Sequence, residues 1–145
     1  MKLEFHHINF VSKDVDKLHE FYTKILQLEN IPMENFPRPQ ETKTTGYSGE
    51  IKFATEGSMQ MHLAEKDLNV SAKHKMHINP VEKGHIAFRT DDLKTLLKVL
   101  KENQIPYSDY GTTFAKEWHQ VFFHDPEGNL SLIHISEPTR PERIS

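Results

Sequence analysis

His7-Ile8-Asn9-Phe10, followed by Asp14 and Leu18, recurs as His85-Ile86-Ala87-Phe88, followed by Asp92 and Leu96 at the same offsets. Ser12 and Thr90 also correspond, and each copy runs on into an amphipathic stretch. The interval of 78 residues exceeds the roughly 20–50 residues of a solenoid repeat, so the chain reads as a duplicated supersecondary module. A histidine at the same point of both copies places two strand imidazoles where the modules face each other.

Outward from the first copy, residues 3–11 alternate as a strand. Leu3, Phe5, His7, Asn9 and Val11 share one face, Ile8 and Phe10 the other. His6 falls with the second set and is expected to point toward a covering helix. Asp14 is a suitable N-cap for that helix, whose stripe of Val15, Leu18, Phe21, Tyr22, Ile25 and Leu26 recurs at a 3.6-residue period. A short strand over 29–33, a loop over 34–47 and a hairpin of 51–55 with 59–64 around Glu56-Gly57-Ser58 complete the first module. The second copy predicts a strand over 84–89, a helix over 92–103 with Leu93, Leu96, Leu97 and Leu100 inward, and a strand near 105–108. A strand over 118–123, a turn at Asp125-Pro126-Glu127-Gly128-Asn129 and a final strand follow. Each module is therefore β-α-β-β-β, with one sheet face under its helix and the other free to meet its twin. The fold class is α+β. Module one spans 1–64, a polar linker 65–83, and module two 84–129 plus a last strand to about 135, within a single domain of residues 1–129. Residues 136–145 are expected to be disordered.

Composition narrows the function. A net charge of −3 offers no basic face for nucleic acid or anionic lipid. No run of about 18 apolar residues suits a membrane span, and the amino terminus lacks the pattern of a secretory signal. The expectation is a soluble, cytoplasmic protein. With no cysteine, thiolate catalysis and cysteine-type zinc sites are excluded. Ten histidines are many for 145 residues, and neutral imidazole is the commonest metal ligand.

Among these, His7 and His85 stand on the uncovered faces of equivalent strands. Gln60 and His62 share a face in the last strand of module one, and His62 has the stronger claim because imidazole binds divalent transition metals better than a neutral amide does. His119 and His124 lie in and after the 118–123 strand, and His74 and His77 in the linker read as solvated. Phe53, Phe88, Trp118, Phe122 and Phe123 read as core. Tyr110 and Phe114, in the loop around Gly111, are candidates for a substrate wall.

Several stretches resemble the vicinal oxygen chelate superfamily, also called the glyoxalase/bleomycin-resistance/extradiol-dioxygenase fold. They are His7 to Asp14 with Phe21-Tyr22, Met61-His62-Leu63, Gly84-His85-Ile86-Ala87-Phe88, and Gln120 through Asn129. The likeness covers about residues 4–129 and is nearest to small glyoxalase I-like proteins. It implies two βαβββ modules forming a curved mixed sheet around a metal and substrate cleft. It also implies one divalent ion (Zn, Ni, Co, Mn or Fe) held from the first and last strands of each module. Carried over, those positions are His7, His62, His85 and Leu132. The family pattern expects glutamate at the fourth, as ligand and base, and leucine can be neither. As written, the chain is a three-histidine site without a base, and its catalytic residue is unknown.

Leu132 lies in a stretch, 130–145, that itself resembles the translation of a transposase sequencing adapter. The expected natural chain continues past Asn129 with a strand bearing glutamate where Leu132 stands. His134 would share the cleft face but sits about 7 Å along the strand, too far for an obvious replacement.

The resemblance implies a metal-dependent lyase or isomerase that chelates neighbouring oxygens of a small carbonyl substrate, the ion acting as Lewis acid. A bleomycin-resistance-type binder without catalysis and an Fe(II) extradiol-type dioxygenase are the alternatives, the latter using His7, His85 and a restored glutamate. The partners expected are a small-molecule substrate and, in a module-exchanged arrangement, a second copy of the chain as a homodimer.

Overall fold

The computed structural model describes residues 1–38 and 47–136. Most of the loop expected over 34–47, and residues 137–145 of the expected tail, lie outside the described residues. Ser136, assigned to that tail, instead closes the last strand.

Eight strands make one open mixed sheet in the order β2-β3-β4-β1-β5-β8-β7-β6. The strands are β1 (Leu3–Ser12), β2 (Glu29–Ile31), β3 (Ile51–Thr55), β4 (Gln60–Glu65), β5 (His85–Thr90), β6 (Tyr107–Gly111), β7 (Trp118–His124) and β8 (Leu130–Ser136). The order is a palindrome of the two modules. In each, the first strand runs parallel to the last, β1 with β4 and β5 with β8, while the remaining neighbours are antiparallel. The modules join where β1 and β5 pair antiparallel. Duplicated strands thus become the seam of the sheet.

The helix α3 (Leu93–Glu102) begins at Asp92, whose carboxylate accepts from the Thr95 amide at 3.0 Å, the N-cap arrangement. Its Leu93, Leu96 and Leu100 pack on Val121 and Ile133. Those two alternate with Gln120, Phe122 and Leu132 on the opposite face, because successive strand side chains point to opposite sides.

Helix α1 (Val15–Glu20) starts the same way, with Asp14 accepting from the Lys17 amide at 3.1 Å. It then loosens into a π-helical turn over Phe21–Ile25. The wider turn carries an extra residue, so the 3.6-residue stripe read from the sequence slips around the axis. Only Val15 of α1 is buried, while Phe21, Ile25 and Leu26 are exposed. Gln27, at φ 63°, ends the segment. The linker holds one short helix, α2 (Val70–Lys73). Among the described residues no helix is long and apolar enough to cross a membrane.

The side of the sheet away from α1 and α3 carries two apolar clusters. Tyr47, Val70, Ile78, Val81, Phe122 and Leu132 belong to one, and Ile31, Phe36, Phe53, Ala115 and Trp118 form the other. Phe53, Trp118 and Phe122 therefore line the cleft as well as filling core. Phe88 and Phe123 pack under α3, as core. Tyr110, read as a substrate wall, is instead buried in the first cluster, its hydroxyl donating to the Ile78 carbonyl at 2.6 Å. Phe114 does line the cleft.

Candidate metal centre

Register at the seam sets the site. On β1, His7 lies opposite Gln60 of β4 and Ala87 of β5, and Asn9 lies opposite His62 of β4 and His85 of β5. His7 and His85 are therefore diagonal neighbours, with ring centroids 5.7 Å apart and planes at 70°. His62 stacks on His7 at 3.7 Å with an interplanar angle of 10°. Leu132 on β8 faces Ala87, at the corner that mirrors His62 across the seam. All three histidines and Leu132 are buried and line one cavity with a free volume of about 60 Å³.

The stacking constrains how the three imidazoles act together. A ring nitrogen binds a metal through an in-plane lone pair at about 2.0–2.1 Å. Near-parallel rings aim those lone pairs side by side, so His7 and His62 converge on one ion only after one ring turns. Their remaining contacts fit ligation well. Gln60 Oε1 lies 2.7 Å from His62 Nε2 and can accept its proton, leaving Nδ1 as the donor atom. His85 hydrogen-bonds the Pro80 carbonyl, and its buried Nδ1 has no partner. Ligating histidines commonly tie their second nitrogen to an oxygen in this way.

His6 departs from the alternation read in the sequence. The β1–β5 register passes from Phe5↔Phe88 to His7↔Ala87, so β1 carries one extra residue and His6 is bulged. Both His6 and His7 consequently turn into the buried side, with their Nδ1 atoms 2.8 Å apart. His134, judged too far along its strand, is brought in by the same bulge. Its ring lies 4.4 Å from that of His6 and 5.8 Å from that of His7, and Trp118 stacks on it at 4.4 Å. The donor atoms of His6, His7 and His134 all lie within 4.8 Å of one another, which among the described residues is the one such group. Nothing in the local sequence announces a bulge, so this second cluster was not legible there.

Burial holds these imidazoles neutral. It pushes His85 down to about 3, against the pull of the Pro80 carbonyl, and His6 to about 3, with the charge of Arg89 adding to the effect. His7, His62 and His134 fall well below the usual histidine value, first by burial and then by their neighbours' charges. A neutral imidazole can ligate without first losing a proton, but it is a weak base.

Two further residues complete the site. Asn9 Oδ1 and Gln120 Oε1 are buried in the cleft without hydrogen-bond partners. A buried carbonyl oxygen left unpaired costs about 1–3 kcal/mol. Together with His85 Nδ1, they are three acceptor atoms with nothing to accept from, the chemistry that a cation or a hydroxyl-bearing ligand would satisfy. Sequence alternation put Asn9 on the His7 face but assigned it no role, and Gln120 entered only as the first residue of a stretch that carries the resemblance. His119, on the other face of β7, pairs with Asp109 at 2.8 Å near the surface.

This chain belongs to the Glyoxalase/Bleomycin resistance protein/Dioxygenase superfamily, whose family model matches residues 4–135. Solved structures of low identity share the fold. A hypothetical protein of Bacillus halodurans is 17% identical over 100% of this chain and 99% of its own, with a TM-score of 0.64. Methylmalonyl-CoA epimerase of Mycobacterium tuberculosis is 14% identical over 93% and 89%, with a TM-score of 0.62. The Streptomyces coelicolor epimerase, solved as a Q60A variant with 2-nitronate-propionyl-CoA, is 18% identical over 91% and 96%, with a TM-score of 0.60. No curated protein sequence matches this one.

Proposed function

We propose that this chain is the scaffold of a metal-dependent isomerase or lyase acting on a small carbonyl compound with two neighbouring oxygens. His7, His62 and His85 would hold one divalent ion (Zn, Ni, Co, Mn or Fe). The single observation that carries the reading is the meeting of three buried, neutral imidazoles with the unpartnered oxygens of Asn9 and Gln120 in one cleft. When bound, the ion would supply Lewis-acid stabilisation of negative charge developing on substrate oxygen, worth several kcal/mol.

The residues themselves divide the remaining work. Gln60 and the Pro80 carbonyl orient His62 and His85. Phe53, Phe122 and Trp118 exclude water and give the substrate a flat apolar wall. Asn9 and Gln120 accept from substrate hydroxyl groups. Among the described residues lining the cleft, none is suited to move the substrate's carbon-bound proton. Leu132 occupies the corner where a carboxylate would act, and burial leaves His62 too weakly basic to replace it. The fold is thus equipped to bind and polarise, and the proton-transfer step awaits the glutamate expected at position 132. An epimerase among the structures that share the fold fits this view, since inverting a carbon next to a carbonyl is also a proton transfer.

The test is metal titration of the protein with Zn²⁺ and Ni²⁺, followed by elemental analysis after desalting and by the fluorescence of Trp118, the chain's one tryptophan. One ion per chain is expected, lost in H85A and weakened in H62A. An ion kept by both variants but lost in H6A and H134A would move the site to the second cluster. Protein that takes up no ion, yet binds planar aromatic ligands, would be read as a binding module.

A further inference from the structure

The cleft has one charged residue among its described lining, and it is not at the histidines. Arg38 follows the short 3₁₀ turn Met33–Asn35 and stands half-buried among the cleft-lining residues. Its guanidinium is held from two sides. Nη1 donates to the Gly49 carbonyl at 2.7 Å, Nη2 donates to the Tyr47 carbonyl, and the group lies 5.2 Å from the centre of the Tyr47 ring. The Tyr47 hydroxyl in turn donates to the Glu65 carbonyl at the end of β4. Two of its five N–H groups are therefore used for fixing, and among the described residues the other three meet no acceptor.

No carboxylate among the described residues pairs with Arg38. A half-buried guanidinium that leans on neutral carbonyls and an aromatic face is poorly compensated for the water it has lost. A planar fork of fixed donors is also the side chain best matched to a carboxylate, which it binds bidentately. The other described residues of the lining offer neutral imidazoles, amides and apolar groups. A negative charge on the ligand is thus the missing complement.

We propose that Arg38 is a carboxylate-binding subsite, so that the ligand of this cleft is a small carbonyl compound bearing a carboxylate. The acid group lies on Arg38 and the neighbouring oxygens reach toward the histidines. This rests on the reading of the cleft as the substrate site, but not on the ion.

The test is saturation-transfer NMR with pyruvate and its uncharged ester, methyl pyruvate, each run on metal-loaded and on chelator-treated protein. Pyruvate should bind at least about tenfold more tightly than the ester, the ratio of about 1.4 kcal/mol expected for a hydrogen bond to a charged group. R38M should erase that preference, and R38K, which keeps the charge but not the fork, should retain part of it. Circular dichroism of both variants shows whether they are folded, and R38K alone decides the matter if R38M is not. Equal binding of acid and ester, a preference untouched in both variants, or binding of neither probe would overturn the subsite. A preference that survives chelation upholds the subsite even where metal uptake fails. Metal uptake without any preference removes the subsite and leaves the metal reading in place.

Discussion

The two halves of the sheet start from one template and end with different duties. Both open with a histidine strand and an aspartate-capped helix. In module two the helix is regular, ten residues long, with three leucines buried against the sheet. In module one it breaks after six residues, and its apolar side chains turn outward. The cleft shows the opposite bias. Module one supplies the bulged His6-His7 pair, His62 with its Gln60 partner, and Arg38. Module two supplies His85, Gln120, His134 and a leucine at the mirrored ligand corner, and both halves supply aromatic walls. Duplication fixed where side chains point, and divergence then gave one half the regular buried helix and the other the larger share of the cleft's polar groups.

Restoring symmetry at the ligand corner should have the largest effect. L132E places a carboxylate opposite His62. Buried and uncompensated, it should lower the melting temperature of metal-free protein. With Zn²⁺ or Ni²⁺ it should recover stability and tighten metal binding by about 100-fold or more, since losing even an outer-sphere partner costs 10–100-fold. Proton exchange at a carbon next to a carbonyl, followed by NMR in deuterated water, should appear only in this variant. Equal destabilisation with and without metal would break the idea that position 132 is a ligand corner.

The helices give the next contrast. L96A removes a buried side chain beneath α3 and should cost about 2–5 kcal/mol in denaturant unfolding. I25A, on the exposed π turn, should stay within about 0.5 kcal/mol. Similar losses in the two variants would mean that the outward stripe of module one is covered in solution.

The smallest effect concerns the tyrosine tethers. Burial raises the Tyr110 hydroxyl to about 12. Between its ordinary value near 10 and that pH, the unfolded chain gives up the proton and the folded one keeps it. Stability is therefore full below pH 10 and declines as pH rises toward 12. Y110F, which has no proton to lose, should show a shallower alkaline decline in thermal melts, at the expense of the hydrogen bond to Ile78. An identical decline in both proteins would count against a buried phenol.

Much of this was legible in the sequence because duplication supplies its own alignment. The offset between His7 and His85 gave the two equivalent strands and the aspartate that precedes each helix, while alternation gave the face shared by His7 and Asn9 and the one shared by Gln60 and His62. What could not be read depends on partners far away in the chain. The bulge at His6 exists only in the pairing of β1 with β5, so alternation alone sent His6 to the wrong face. The π turn in module one arises where Thr23 bonds back to the His19 carbonyl at 2.8 Å, a local competition that period counting ignores. Arg38 stood in a proline-flanked loop with no periodicity to assign it a direction. Tyr110 was misjudged because its anchor, Ile78, lies in the linker that looked irregular.

The seam has a mechanical consequence. Its two imidazoles sit on the adjacent strands β1 and β5, whereas Phe53 and Phe122 each lie two strands further out in their own half. Rotation of one half against the other swings the outlying walls through a wide arc and scarcely changes the span between residues 7 and 85.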